Sequence, residues 1–250
     1  MNPLKNKVAL VTGASRGIGK AIALRYAQLG AHIVVNYASN SVAADAVVKQ
    51  IESYQVKAIA VKADVSKPAE INRLFEVAIQ EFGKIDIVVV NAGLELVGVP
   101  VTAFSEEQFD SLFDTNTKGA FFTMQAAARH VADNGRIIYI GSSTTGLPNA
   151  GYALHGGSKT AALYLVQVLA KELGKRGITV NAILPTATEG AGIHTVVDAE
   201  APIRAIVPTF YPMGRMGTPE DVANVAEFFA GELSGFVSGQ QLLVSGGAIA

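Results

Sequence analysis

The stretch Val8-Ala9-Leu10-Val11-Thr12-Gly13-Ala14-Ser15-Arg16-Gly17-Ile18-Gly19 joins an apolar run of strand length to three glycines, after which a helical pattern begins. Glycine supplies backbone conformations closed to other residues. It also lets a pyrophosphate approach a helix N-terminus, whose free N–H groups and dipole favour anions. Three glycines alone can be a plain strand-to-helix connection; the flanking strand, the helix and the position near residue 1 point to a dinucleotide site.

Outward from this turn, apolar runs alternate with amphipathic stretches. The runs are Val8 to Val11, Ile33 to Val35, Ala58 to Val61, Ile85 to Val90, Ile137 to Ile140, Thr179 to Ile183 and Gln241 to Val244. Helical candidates lie near Gly17 to Leu29, Val42 to Ser53, Pro68 to Phe82, Glu106 to Val131, Tyr152 to Lys175 and Pro219 to Ala230. The pattern predicts an α/β fold, a Rossmann-type doubly wound parallel sheet of about seven strands with helices on both faces. Ligands of such sheets bind beyond the carboxyl ends of the strands. No low-complexity linker or internal repeat interrupts the pattern, so residues 1–250 read as one domain. Within it, residues 186–217 are irregular and rich in Gly, Pro, Ala and Thr, which reads as a substrate lid. Its Ile193, Val196, Val197, Ile203, Ile206, Val207, Phe210 and Tyr211 would face an apolar pocket or the core.

Half of the 250 residues are apolar and only 16% are charged. With 20 Lys and Arg against 21 Asp and Glu, nothing in the charge balance points to a nucleic-acid partner. Mean hydropathy is +0.32, yet the apolar runs fall far short of the ~18 residues that span a membrane, so no membrane partner is expected. There is no Cys, which excludes disulfides and thiolate chemistry and fits a reducing compartment. Met1 to Lys7 is polar and Val8 to Val11 is too short for a signal-peptide core, so a cytoplasmic location is expected. His32, His130 and His194 show no ligand spacing, and no metal site is assigned.

The glycine spacing is Gly-x-x-x-Gly-x-Gly. Asp64-Val65 follows the third strand, Asn91-Ala92-Gly93 the fourth and Gly141-Ser142 the fifth, Asn116 stands within Asn-Thr-Lys-Gly, and Lys159 falls within a long helix. On these motifs the chain resembles the short-chain dehydrogenase/reductase family, in its 3-oxoacyl carrier protein reductase-like branch, over nearly its whole length. The resemblance implies that Gly13, Ser15, Arg16, Gly17, Ile18 and Gly19 hold the cofactor, that Asp64 and Val65 contact adenine, and that Asn91, Ala92 and Gly93 pack along it. It also implies that Pro185 lies near the nicotinamide, that Lys159 anchors the nicotinamide ribose, and that the protein assembles as a homotetramer through its long helices and last strand. After the sixth strand the family usually has Pro-Gly where this chain has Pro185-Thr186, and Thr188 is the nearest candidate for the family's carboxamide-binding Thr.

NAD enzymes tend to carry an acidic residue about twenty positions past the glycines. Here the second strand ends in Asn36-Tyr37-Ala38-Ser39, which can hydrogen-bond a phosphate without repelling it, and Arg16 adds a cation. Arg16 can also be a solvated loop charge. The combination favours NADP(H), and Asn36→Asp is expected to shift preference toward NAD.

Relatives of this kind use Asn, Ser, Tyr and Lys, the Tyr four residues before the Lys. Here that position is His155, in Tyr152-Ala153-Leu154-His155-Gly156-Gly157-Ser158-Lys159. Residues four apart share a helix face, so His155 and Lys159 can look into one cleft, whereas Tyr152 stands two turns back. Ser142 lies thirteen before His155, as the family's Ser does before its Tyr. A histidine can shuttle protons near neutral pH, but it reaches less far than a phenol, and a neighbouring ammonium depletes its protonated form. The catalytic set implied by the resemblance is Asn116, Ser142, His155 and Lys159, with Glu95, Leu96, Val97 and the lid setting specificity. It reduces a small-molecule ketone or aldehyde to an alcohol, reversibly. The alternative is a catalytically impaired NADP(H)-binding protein of the same fold, acting in sensing or assembly.

Overall fold

Successive residues of a strand point to opposite faces, so a sheet covered on both sides requires apolar side chains at every position. β1 (Val8–Val11), β4 (Ile85–Val90) and β6 (Thr179–Pro185) meet this demand except at Asp86, Thr179 and Asn181, and are buried throughout; Asp86 accepts from Val8 N–H, and Asn181 bonds the backbone of Val237 and Gln240. The computed structural model describes residues 2–195 and 207–248. With β2 (His32–Tyr37), β3 (Ala58–Lys62), β5 (Val131–Ile140) and β7 (Gln241–Val244), these strands form a parallel seven-stranded sheet in the order β3-β2-β1-β4-β5-β6-β7.

The covering helices are α1 (Gly17–Gln28), α2 (Ser41–Glu52), α3 (Pro68–Phe82), α4 (Glu106–Phe113), α5 (Ala120–His130), α6 (Ala153–Glu172) and α7 (Pro219–Ala230). The alternation along β4 sorts them into two layers. Val88 and Val90 belong to a core with Leu74 and Phe75 of α3, Met124 of α5 and Val166 of α6. Ile87 and Val89 belong to the opposite core, with Ile22 of α1, Val47 of α2 and Ala226 of α7. The result is the Rossmann-type doubly wound sheet. Its strand order reverses between β1 and β4, and a crevice opens there at their carboxyl ends.

Two elements differ from the sequence reading. The helix expected over Glu106 to Val131 is divided: α4 ends at Phe113, a π-helical turn runs over Asp114–Gly119, and α5 follows. Tertiary contacts account for the break. Asn116 in the turn is bonded to a neighbouring loop, and a Cβ on Gly119 would stand 2.9 Å from the Val65 carbonyl oxygen. β5 begins at once after α5, so the expected strand Ile137 to Ile140 is only its inner half. The register shift opposite Ile85 and Ile87 and the positive φ of Asn134 (63°) had hidden the outer half from any period-two pattern. Of the segment 186–217, residues 196–206, including Val196, Val197, Ile203 and Ile206, lie outside the described residues. No helix among the described residues is long and apolar enough to cross a membrane.

Candidate active site

A cavity of about 1620 Å³ runs along the carboxyl ends of the strands, from Ala38 and Ser39 after β2 to Tyr152 and Tyr211. The glycine turn forms one wall. Gly13 takes φ 63°, and a Cβ there would come within 3.0 Å of the Ala92 Cα, so the turn can lie against the loop after β4 only as glycine. Thr12 fastens the two: its Oγ1 accepts from the N–H groups of Asn91 (2.9 Å) and Ala92 (3.0 Å) and donates to the Val89 carbonyl. The Asn91 side chain donates back to the Thr12 carbonyl at 2.8 Å. α1 has no acidic residue in its first turn, and its N-cap, Arg16, makes no side-chain cap. Its leading N–H groups therefore keep their affinity for an anion. Gly19 stands behind the turn, where a Cβ would lie 2.6 Å from the Gly13 carbonyl oxygen; it lets the helix pack and does not line the cavity.

At the β2 end the structure corrects the reading of Asn36. Its amide is buried and turned to the backbone, accepting from Gly13 N–H (3.1 Å) and donating to the carbonyls of Ala63 (2.9 Å) and Val61 (3.3 Å). It locks the glycine turn onto β2 and β3 rather than presenting donors to a phosphate. Arg16, Ala38, Ser39 and Asn40 are the exposed residues there, beside a half-buried Tyr37. The N-terminus of α2 adds a second end free of acidic residues in its first turn, with Asn40 capping Ala43 N–H at 2.9 Å. This end of the cavity fits a phosphate: it offers donors and a cation. Asp64 lines the adjoining wall; burial raises its carboxyl, but hydrogen bonds from Ser66 and the charge of Lys67 outweigh that and hold it below the usual value.

At the other end α6 brings His155 and Lys159 to the cavity one turn apart. Lys159 is buried, donates to the Ile140 carbonyl at 3.1 Å, and sits 5.8 Å from the Tyr139 ring centroid. Burial lowers its ammonium to about 8, against the opposing pull of the Glu95 carboxylate. Ser142 accepts hydrogen bonds from Thr144 Oγ1 (2.8 Å) and Thr144 N–H (3.3 Å), which leaves its own hydroxyl proton to be donated. His155 is buried, and its Nδ1 is enclosed without a hydrogen-bond partner among the described residues. Burial and then the Lys159 charge push the imidazole below its ordinary value, while Glu95 and the Leu94 carbonyl pull it up less strongly. At neutral pH the ring is therefore mainly uncharged.

Asn116 is placed differently from the other three. Its Oδ1 accepts from Leu94 N–H (2.8 Å), and its Nδ2 donates to the Leu94 carbonyl (2.9 Å) and to Ser158 Oγ (3.0 Å). It is buried, does not line the cavity, and clamps the loop after β4 to α6.

Comparison with known proteins bears on this arrangement. Residues 13–248 match the family model described as Enoyl-(Acyl carrier protein) reductase. A hydroxynaphthalene reductase-like protein, Arp2 of Metarhizium brunneum, is 41% identical over 98% of this chain and 96% of its own. The chain belongs to the short-chain dehydrogenase/reductase family, a family of oxidoreductases. Among solved members of this family, the short chain dehydrogenase of Burkholderia cenocepacia in complex with NADP has a TM-score of 0.91 at 35% identity, covering 99% of this chain and all of that one. The angucycline C-6 ketoreductase LanV with bound NADP has a TM-score of 0.92 at 33% identity, covering 98% of this chain and 96% of its own.

Most of the expected site positions border the one cavity: Gly13, Ser15, Arg16, Gly17, Ile18, Asn36, Tyr37, Ala38, Ser39, Asp64, Val65, Asn91, Ala92, Gly93, Ser142, His155, Lys159, Pro185 and Thr188. Thr188 is buried, with its hydroxyl donated to the Thr186 carbonyl at 2.9 Å. Sequence reasoning missed Thr12, Thr144 and Ser158. Thr144 carried a readable signal, a hydroxyl two residues past Ser142 in a turn; the Ser158 bond to Asn116 spans 42 residues and carried none.

Proposed function

We propose that this protein is an NADP(H)-dependent carbonyl reductase, reversible as an alcohol dehydrogenase, with His155 as proton donor in the place where the family has a tyrosine. The observation that carries the reading is the convergence on one cavity of the α1 N-terminus with Ser142, His155 and Lys159. At about 1620 Å³ it exceeds the ~300–1,000 Å³ of an ordinary ligand pocket, which suits a dinucleotide together with a substrate. The NADP-bound relatives and their reductase names support the same reading.

The N–H groups of α1, Asn91 to Gly93, Asp64, Val65, Lys159, Pro185 and Thr188 would hold the dinucleotide, and Arg16, Ala38 and Ser39 its 2′-phosphate. Bound there, the nicotinamide gives or takes up a hydride. Ser142 donates its hydroxyl proton to the substrate oxygen and polarises the carbonyl. The Lys159 ammonium favours the negative charge that develops on that oxygen, and His155 delivers the proton that completes the alcohol. Residues 1–250 act as one domain, residues 186–217 close over the substrate, and the chain works as a homotetramer in the cytoplasm.

The sign of the pH dependence follows from His155. Reduction requires the protonated ring, whose value lies below the ordinary ~6.5, so the rate should climb as pH falls through neutrality; alcohol oxidation requires the neutral ring and should run the other way. His155→Tyr should move the falling limb of reduction to the alkaline side, because a phenol titrates near ~10. NADPH consumption across a panel of ketones and aldehydes at several pH values checks this. A profile flat through this range, or full activity in His155→Ala, would remove His155 from the reaction. The depressed imidazole favours one other reading, an NADP(H)-binding protein whose activity has faded. Tight NADPH binding with no turnover at any pH is its signature.

A further inference from the structure

His155 faces a difficulty that the rest of its surroundings address. A buried imidazole one helical turn from an ammonium is a poor proton donor, yet its Nδ1 is enclosed without a partner among the described residues, which packing alone does not favour. The same cavity is bordered by Lys159 of α6, Tyr152 at its N-cap, Glu95 on the loop after β4, and His194 and Tyr211 from the segment after β6. Glu95 is the only carboxylate of that set.

The backbone of its segment is fixed by hydrogen bonds. Asn116 grips both backbone groups of Leu94, the residue before Glu95, at 2.8 and 2.9 Å. The same amide donates to Ser158 Oγ at 3.0 Å, and Ser158 Oγ donates to the backbone carbonyl of His155 at 3.0 Å. The chain Leu94, Asn116, Ser158, His155 ties the Glu95 segment to the turn of α6 that carries the imidazole. The Glu95 carboxylate abuts Gly192, where a Cβ would collide with it.

We propose that Glu95 is the positioning residue for proton transfer at His155: its carboxylate, registered by Asn116 and Ser158, holds a proton on the imidazole until the substrate oxygen takes it. This rests on the carbonyl-reductase reading. In the reduction the substrate carbon gains a hydride, its oxygen gains the His155 proton, and the imidazole is left neutral. The direction of the electrostatics agrees, since Glu95 raises both His155 and Lys159 against burial.

The test is a proton titration of the full-length protein by NMR, following the histidine ring protons, with His155→Gln identifying the His155 signal. Glu95→Gln should lower the His155 midpoint and move the falling limb of the reduction rate to lower pH. At pH 7 it should cut kcat about three- to tenfold while KM changes little; Glu95→Asp should recover part of both. A His155 midpoint unmoved by Glu95→Gln overturns the proposal. So does a change confined to KM or thermal stability, which is what a mere brace against Gly192 would give. Should Glu95→Gln fail to fold, the wild-type carboxyl carbon of Glu95 decides: its signal must step at the His155 midpoint, and no step there is equally fatal. If the midpoint moves but no carbonyl compound is ever reduced, the pairing stands and the carbonyl-reductase reading falls.

Discussion

Replacing Asn36 by Asp keeps the size of the side chain but removes the donor that serves the carbonyls of Ala63 and Val61, and it sets a carboxylate beside them in a buried site. An acceptor facing acceptors without water costs about 2–4 kcal/mol. Asn36→Asp should therefore lower the thermal midpoint and leave the ratio of NADPH to NADH affinity near its wild-type value. Ala38→Asp, on an exposed position of the same cavity, should be the change that turns preference toward NADH, by repelling a 2′-phosphate. Calorimetry and paired cofactor titrations separate the two; a switch of preference in Asn36→Asp without loss of stability would contradict the assignment. The residue types along the end of β2 were legible in the sequence, and so was the missing acid. Which way the Asn36 amide points was not, because its partners Gly13, Val61 and Ala63 come from two other strand ends, 23 to 27 residues away.

Among the elements, the seven strands and most helices could be read from apolar periodicity, because a sheet buried on both faces leaves unbroken apolar runs. The π-helical turn at Asp114–Gly119 could not, since nothing local distinguishes it from helix: it exists because Asn116 bonds across to Leu94 and Ser158. π-helical turns of this sort gather at functional sites. Asn116→Ala would leave the Leu94 N–H and carbonyl without their partner and release the loop after β4. A stability loss of about 2–4 kcal/mol is expected in the cofactor-free protein. A fall in kcat larger than the change in KM should accompany it, because the register between Glu95 and His155 is lost. Denaturant unfolding and steady-state kinetics check both; unchanged kcat in a folded Asn116→Ala protein would limit Asn116 to a structural role.

For the whole molecule, the question is what covers the apolar surface that the fold leaves outside. Among the described residues β7 pairs on one side only, and Leu242 and Leu243 on it are exposed. Leu243 shares an apolar groove of about 370 Å³ with Tyr164 of α6, Leu147 and Leu163. Tyr164 is 72% exposed, and beyond α7 Leu233 and Phe236 stand at 88% and 104%. Apolar surface on this scale is unusual for a chain that stays monomeric, and it agrees with a charged fraction of only 16%. The groove shared by α6 and β7, with Tyr164 at its edge, and the exposed Leu233 and Phe236, which do not line it, give two apolar patches, and two independent two-fold contacts would generate a tetramer. Sedimentation of the wild type should give four times the 26.0 kDa chain mass. Tyr164→Glu and Phe236→Asp, each at a site where the isolated chain loses little, should give dimers singly and 26.0 kDa monomers together. A wild type that sediments as a monomer at micromolar concentration would mean that both faces are left to solvent, and the low charge would then need another cause.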